Sequence, residues 1–228
     1  MANTTAIKLE DSTPAVSQAE HAYKALEAML VTLKLPPNAL LSEEELSRML
    51  GIGRTPVREA VKRLAMDGLI TIRPRKGLIV TPIDEHHHML LLEVRRELER
   101  LIARRAAAYR TGQQRDRFLK LAKLMQDAGD RREYDAYLKA DEEFNELILE
   151  AAASPPLARI MASIHPAMRR FWYSHHRYLK DRTPLGGAQH ANVMLAVAKG
   201  DPDAAAVASD ELMDYVEGVA RSVVPLDL

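Results

Sequence analysis

Arg54 and Arg58 stand four residues apart, directly after a Gly-Ile-Gly turn at residues 51–53. On a helix that spacing puts both on one face. A guanidinium there can give two parallel hydrogen bonds to a guanine edge or clasp a phosphate. Thr55 and the neighbouring backbone amides, at the positive end of the helix dipole, offer a phosphate more donors. Further on, Arg73, Arg75 and Lys76 crowd a turn marked by Pro74 and Gly77, within reach of a sugar–phosphate backbone or a minor groove. From Arg48 to Gly77 eight bases, Lys62 and Arg63 among them, face only two acids, Glu59 and Asp67, a net charge of +6. The chain as a whole is formally neutral, so the remainder carries −6. One phosphate-holding module beside another that holds none leaves this footprint. Blander readings remain at this point: a solvated basic face, Arg58 paired with Glu59 or Asp67, or a plain structural turn at residues 73–77.

The elements that must carry these residues follow from periodicity and punctuation. Residues 1–16 are polar and aperiodic and read as a flexible arm. Tyr23, Leu26, Leu30 and Leu33 recur at helical steps, predicting an amphipathic helix over 17–33 that Pro36 and Pro37 stop. Ser42 followed by Glu45 forms a capping box for a short helix over 43–50. A second helix is expected over 55–68, with Pro56 in its tolerant first turn and Val57, Ala60, Val61 and Leu64 on its buried face. Two β-prone runs, 69–72 and 78–81, then flank the basic turn as a hairpin. Helix, tight turn, helix and basic hairpin make a winged helix-turn-helix, whose second helix lies in the major groove.

After Pro82 the pattern is helical throughout, with helices expected over 84–111, 114–128, 131–152, 155–180, 186–199 and 202–221. Short connections favour antiparallel neighbours. The fold class is therefore mostly α: three helices with a two-stranded wing, then an antiparallel all-helical bundle of about six helices. The domains are expected at 17–82 and 83–222. The sequence has no cysteine, which excludes disulfides and thiolate chemistry. No signal peptide and no apolar run of membrane-spanning length is evident, so a cytoplasmic protein is expected. Phosphate-binding glycine loops, nucleophile elbows and HExxH are missing too, which argues against an enzyme. His86, His87 and His88 fan around a helix start and read as a solvated run rather than a metal tract.

Residues 35–80, Leu-Pro-Pro-Asn through Gly-Leu-Ile-Val, resemble the DNA-binding domain of the bacterial GntR regulators, in particular the FadR-like branch. The specific core is Gly-Ile-Gly-Arg-Thr-Pro-Val-Arg-Glu-Ala-Val at 51–61, followed by Arg63-Leu64 and Asp67-Gly68-Leu69-Ile70. Gly53 departs from the usual serine or threonine, and Asn38 stands where glycine is common. The resemblance implies double-stranded operator DNA as partner, read by Arg54, Arg58 and the Gly77 wing. Arg48, Thr55, Lys62, Arg73, Arg75 and Lys76 complete the candidate set.

The second half resembles the FCD ligand-binding domain of the same branch, through 92–99, Asp141–Asn145, Gln189-His190 and 198–201. The resemblance implies a homodimer on a pseudo-palindromic operator, expected to act as a repressor and tuned by a small organic acid. Many relatives hold a divalent metal (Zn, Ni or Mn) with one Asp and three His. Here Asp141 and His190 keep two of those positions, while Asn145 and Leu212 stand at the others. His165, His175 or His176 could replace a lost ligand. The preferred expectation is a metal-free pocket in which Arg95, Asn145 and His190, beside Asp141, take an organic anion, with Arg95 pairing its carboxylate. Phe171, Trp172 and Tyr173 either line that pocket or serve packing. Two rivals stand beside this reading: an architectural DNA binder with a vestigial sensor, and a metal-dependent enzyme built on Asp141 and His190.

Overall fold

The computed structural model describes residues 17–175 and 180–224; the arm at 1–16 and His176 lie outside the described residues. The chain divides at Thr81/Pro82 into two compact units, each with its own core.

In the first unit, α1 (Gln18–Val31), α2 (Glu43–Leu50) and α3 (Arg54–Met66) enclose a core of Leu26, Leu30, Leu46, Val57, Val61 and Leu64. The Ser42 capping box is formed: the Glu45 amide donates to Ser42 Oγ at 3.2 Å, and the Ser42 amide to Glu45 Oε2 at 2.9 Å. The helix then stops at Gly51, which is left-handed (φ +65°), and Ile52 restarts the chain through a hydrogen bond to Ser47 O. The wing differs from the expected two strands. Leu40–Leu41 (β1) adds to Ile70–Arg73 (β2) and Gly77–Val80 (β3) in an antiparallel sheet of order β1-β3-β2. Two residues carry no readable alternation, so β1 escapes a period-based reading. It explains Gly77: φ is +89°, and a Cβ there would lie 2.9 Å from Leu41 O.

The second unit contains α4 (Glu85–Tyr109), α5 (Gly112–Asp130), α6 (Tyr134–Ala152), α7 (Pro155–Ser174), α8 (Thr183–Lys199) and α9 (Pro202–Val223). Antiparallel α4 and α9 are laced by Arg96–Asp214 at 2.7 Å, Arg100–Asp210 at 2.8 Å and Arg104–Asp203 at 2.8 Å. Part of the acidic excess outside the basic segment is spent here. Helices α5 and α8 touch backbone to backbone. A Cβ on Gly129 would lie 2.7 Å from Thr183 O, and one on Gly187 2.9 Å from Met125 O. The helix expected to start at residue 186 therefore starts three residues earlier, at Thr183. Pro184 sits in the first turn, where its missing N–H is not needed, and the glycines are held by that contact. The helix expected to reach residue 180 ends at Ser174, and 180–182 form a 3₁₀ turn.

The histidine run is not uniformly solvated. His86 and His87 are exposed, but His88 is buried, stacked on Phe171 with ring centroids 3.5 Å apart. It falls on the stripe His88, Leu92, Arg95, Glu99, Ile102 and Ala106 that α4 turns to the core.

Candidate functional site

Among the basic candidates, Arg48, Arg54, Thr55, Arg58, Lys62, Arg73, Arg75, Lys76 and Gly77 are all exposed. Arg54, Thr55 and Arg58 occupy the amino-terminal turn and a half of α3, directly after the Gly51–Gly53 turn. Gly53 provides no side-chain cap, so the first amides of α3 are left to an outside acceptor. The two arginines do have protein partners, and they are not the ones considered from sequence. Arg58 Nε donates to Glu43 Oε2 at 2.9 Å, and Arg54 Nη2 meets Glu44 Oε2 at 2.9 Å. Both acids belong to the first turn of α2. Arg48 lies 3.6 Å from the same Glu44. These side chains are largely open to water, where an ion pair is worth about 0–1 kcal/mol and yields to a competing phosphate. Asp67 is taken by Tyr23, whose hydroxyl donates to it at 2.8 Å. Arg63 lies over the Tyr23 ring at 4.0 Å and bonds Glu20 at 2.6 Å, so it braces α1 against α3 rather than facing outward.

The second candidate is a cavity inside the helical unit, about 700 Å³ when counted with the solvent at its mouth. Arg95, Asp141, Asn145 and His190, the effector candidates, all line it, and so does His165. His190 Nε2 is 3.0 Å from Asp141 Oδ1, and its Nδ1 is 2.7 Å from Gly186 O. Both ring nitrogens thus lie close to oxygen atoms. Burial opposes the Asp141 carboxylate, but the His190 hydrogen bond and charge, with Arg95 and His165 behind them, keep it below the ordinary acid range. Asn145 Nδ2 donates to Asp141 O at 2.8 Å and to Asp141 Oδ2 at 3.1 Å, so the amide serves the carboxylate.

Arg95 reaches the cavity, yet its Nε is committed to Glu99 Oε1 at 2.8 Å, with both side chains 9% exposed. Burial pushes the Glu99 carboxyl up, and Arg95 with His165 more than reverses this. His165 Nε2 lies 3.8 Å from the same Glu99 oxygen. His175 instead closes the end of α7: its Nδ1 is 2.9 Å from Phe171 O, and its Nε2 3.5 Å from Glu85.

A metal needs three or four donors converging on one point. Of the four family positions, Asp141 and His190 are together, Asn145 turns its amide nitrogen to Asp141, and Leu212 is buried core. No three His, Cys, Asp or Glu side chains are grouped to hold a metal ion among the described residues. The donor set does not fit a divalent ion.

Three contributors to the cavity carry no motif: Arg169 at the Glu142 carboxylate, Tyr137 beside His190, and Arg182 in the 3₁₀ turn before α8. The aromatic cluster divides its labour. Phe171 is core, while Trp172 lines the cavity.

Comparison with known proteins agrees with both regions. Residues 18–80 match the gntR family of bacterial regulatory proteins, and residues 90–215 match the FCD domain. The HTH-type transcriptional repressor RspR of Escherichia coli is 27% identical over 201 residues, covering 88% of each chain. The Nta operon transcriptional regulator of Aminobacter aminovorans is 29% identical over 205 residues, covering 86% of this chain and 94% of its own. The fold is similar to that of E. coli McbR/YncC, with a TM-score of 0.79 at 19% identity over 91% of this chain and 99% of that one. A GntR regulator structure from Rhodococcus sp. RHA1 gives 0.68 at 17% identity, with the same coverage. These relatives are regulators of transcription rather than enzymes. No described helix is long and apolar enough to cross a membrane. With an FCD domain behind a gntR-type helix-turn-helix, the chain belongs to the GntR family and is a DNA-binding transcriptional regulator.

Proposed function

We propose that the protein is a ligand-responsive repressor that binds a pseudo-palindromic operator as a homodimer and releases or tightens on it when a small organic acid enters the helical unit. The observation that carries the DNA half is the amino end of α3. There Arg54, Thr55, Arg58 and uncapped amides are presented together, held back only by water-exposed pairs to Glu43 and Glu44. Lys62 and Arg48 flank them, and Arg73, Arg75 and Lys76 supply wing contacts to phosphate or the minor groove. A half-exposed apolar stripe on α4, Leu90, Val94 and Leu101, supports self-association. The effector half rests on the cavity, where Arg95, Asp141, Asn145 and His190 are organised as a hydrogen-bonded polar wall. Such order speaks against a vestigial sensor. The domains are assigned to 17–82 for DNA and 83–222 for the effector and dimer.

The test starts with operator selection from a random duplex library, followed by anisotropy titration. Arg58→Ala is expected to cost about 1–3 kcal/mol of discrimination between the selected site and a scrambled one. Unaltered discrimination by that variant would sink the assignment of α3 as the reading helix.

A further inference from the structure

We propose that the cavity of the helical unit takes an aryl-substituted monocarboxylate, its carboxylate held by Arg182 at the mouth and its ring against Trp172 and the surrounding tyrosines. This rests on the effector-sensing reading above and names the chemical class of that effector.

Arg95 is neutralised by Glu99, Arg169 faces Glu142, and His190 faces Asp141. Each of these basic groups is already matched by a carboxylate of the protein. Arg182 differs, since no carboxylate pairs with it among the described residues. Its charge is felt by the Tyr215 phenol across the mouth, which it favours in the ionised form against the effect of burial. One unmatched guanidinium suits one carboxylate. Further carboxylates on a ligand would lie beside Asp141 with no cation left to receive them, an expensive arrangement in a partly buried site.

Apart from Asn145, His165 and Thr183, the rest of the wall is largely apolar, and its phenol groups already have protein partners. Tyr134 donates to Trp172 O at 3.1 Å, Tyr215 to Arg182 O at 2.6 Å, and Tyr137 meets His190 Nδ1 at 3.3 Å. What they leave facing the cavity is ring surface, completed by Leu138, Met168, Val216 and Val219. Aromatic walls of this kind favour a flat ring in offset or edge-on contact. The sequence-based choice of Arg95 as carboxylate partner is thereby moved to Arg182.

The full-length chain provides its own probe, because Trp172 is its one tryptophan. Phenylacetate, the neutral phenylacetamide and citrate would each be titrated by Trp172 emission and by calorimetry. Phenylacetate is expected to bind saturably, with the amide and citrate weaker by about tenfold or more. Arg182→Gln, at an exposed position, should weaken phenylacetate about tenfold and leave phenylacetamide unchanged. Tighter binding of citrate overturns the class and leaves the sensing reading standing. Equal binding of acid and amide, indifferent to Arg182→Gln, overturns the carboxylate assignment. Absence of calorimetric binding by phenylacetate overturns the proposal outright. Binding that never alters operator affinity keeps the ligand class and defeats the sensing reading.

Discussion

The two functional regions use the same chemical pairing, guanidinium or imidazole with carboxylate, in opposite surroundings. At the amino end of α3, Arg54 and Arg58 meet Glu44 and Glu43 in water. In the helical unit, Arg95 meets Glu99 and His190 meets Asp141 within the bundle. Distances are alike, 2.8–3.0 Å in all four. Solvent decides what they mean. An exposed pair costs little to break and is exchangeable for a phosphate, as a reading surface requires. A buried pair cannot be opened without leaving an unpaired charge, so it fixes a wall.

The contrast is broken or sharpened by a graded set of variants. The largest effect belongs to Glu99→Ala, which strands Arg95. It should destabilise the helical unit by about 3–5 kcal/mol, read from the Trp172 emission transition in urea. A loss below about 1 kcal/mol would place Arg95–Glu99 with the exposed pairs.

Next is acid sensitivity through His88. Burial, with Arg95, His175 and His87 nearby, lowers its pKa to about 3. A group depressed in the folded state stabilises above its unfolded value, and that stability is lost as pH falls toward the folded one. The urea midpoint should therefore decline as pH drops below about 6.5. His88→Leu should flatten that decline; the same slope in both proteins would refute the assignment.

Below this comes Arg58→Ala, confined to operator discrimination, with folding stability unchanged within about 0.5 kcal/mol. The smallest effect is expected for Glu43→Gln, which frees Arg58. Operator affinity should rise by up to about fivefold at low salt, and the gain should fade as salt screens the pair. A drop in affinity would mean that Glu43 positions Arg58 rather than restraining it.

Periodicity and caps made the helices readable. The predicted 43–50 is the observed α2, and the six later helices differ mainly at their ends. The helix expected from 186 begins at Thr183, where a tertiary contact with Gly129 overrides local preference. Strand β1 had too few residues to show a period. Of the site, Asp141, Asn145 and His190 were legible through family spacing, and the structure brings them together. The commitment of Arg95 does have a signal in the sequence: Arg95 and Glu99, one helical turn apart, interrupt the buried stripe between Leu92 and Ile102. Arg182 had none. It stands in an ordinary charged stretch, Lys180-Asp181-Arg182, and only folding carries it to the cavity mouth.

The bare backbone seam between α5 and α8 bears on any attempt to reshape the cavity. Gly187 precedes His190 by less than one turn, so the seam sets how deep that imidazole stands opposite Asp141. A methyl at Gly129 or Gly187 would wedge the helices and move the polar floor along with them. Libraries aimed at a reshaped cavity should leave those two positions untouched and place their diversity on Leu138, Met168 and Val216, where side chains can be exchanged without shifting the frame.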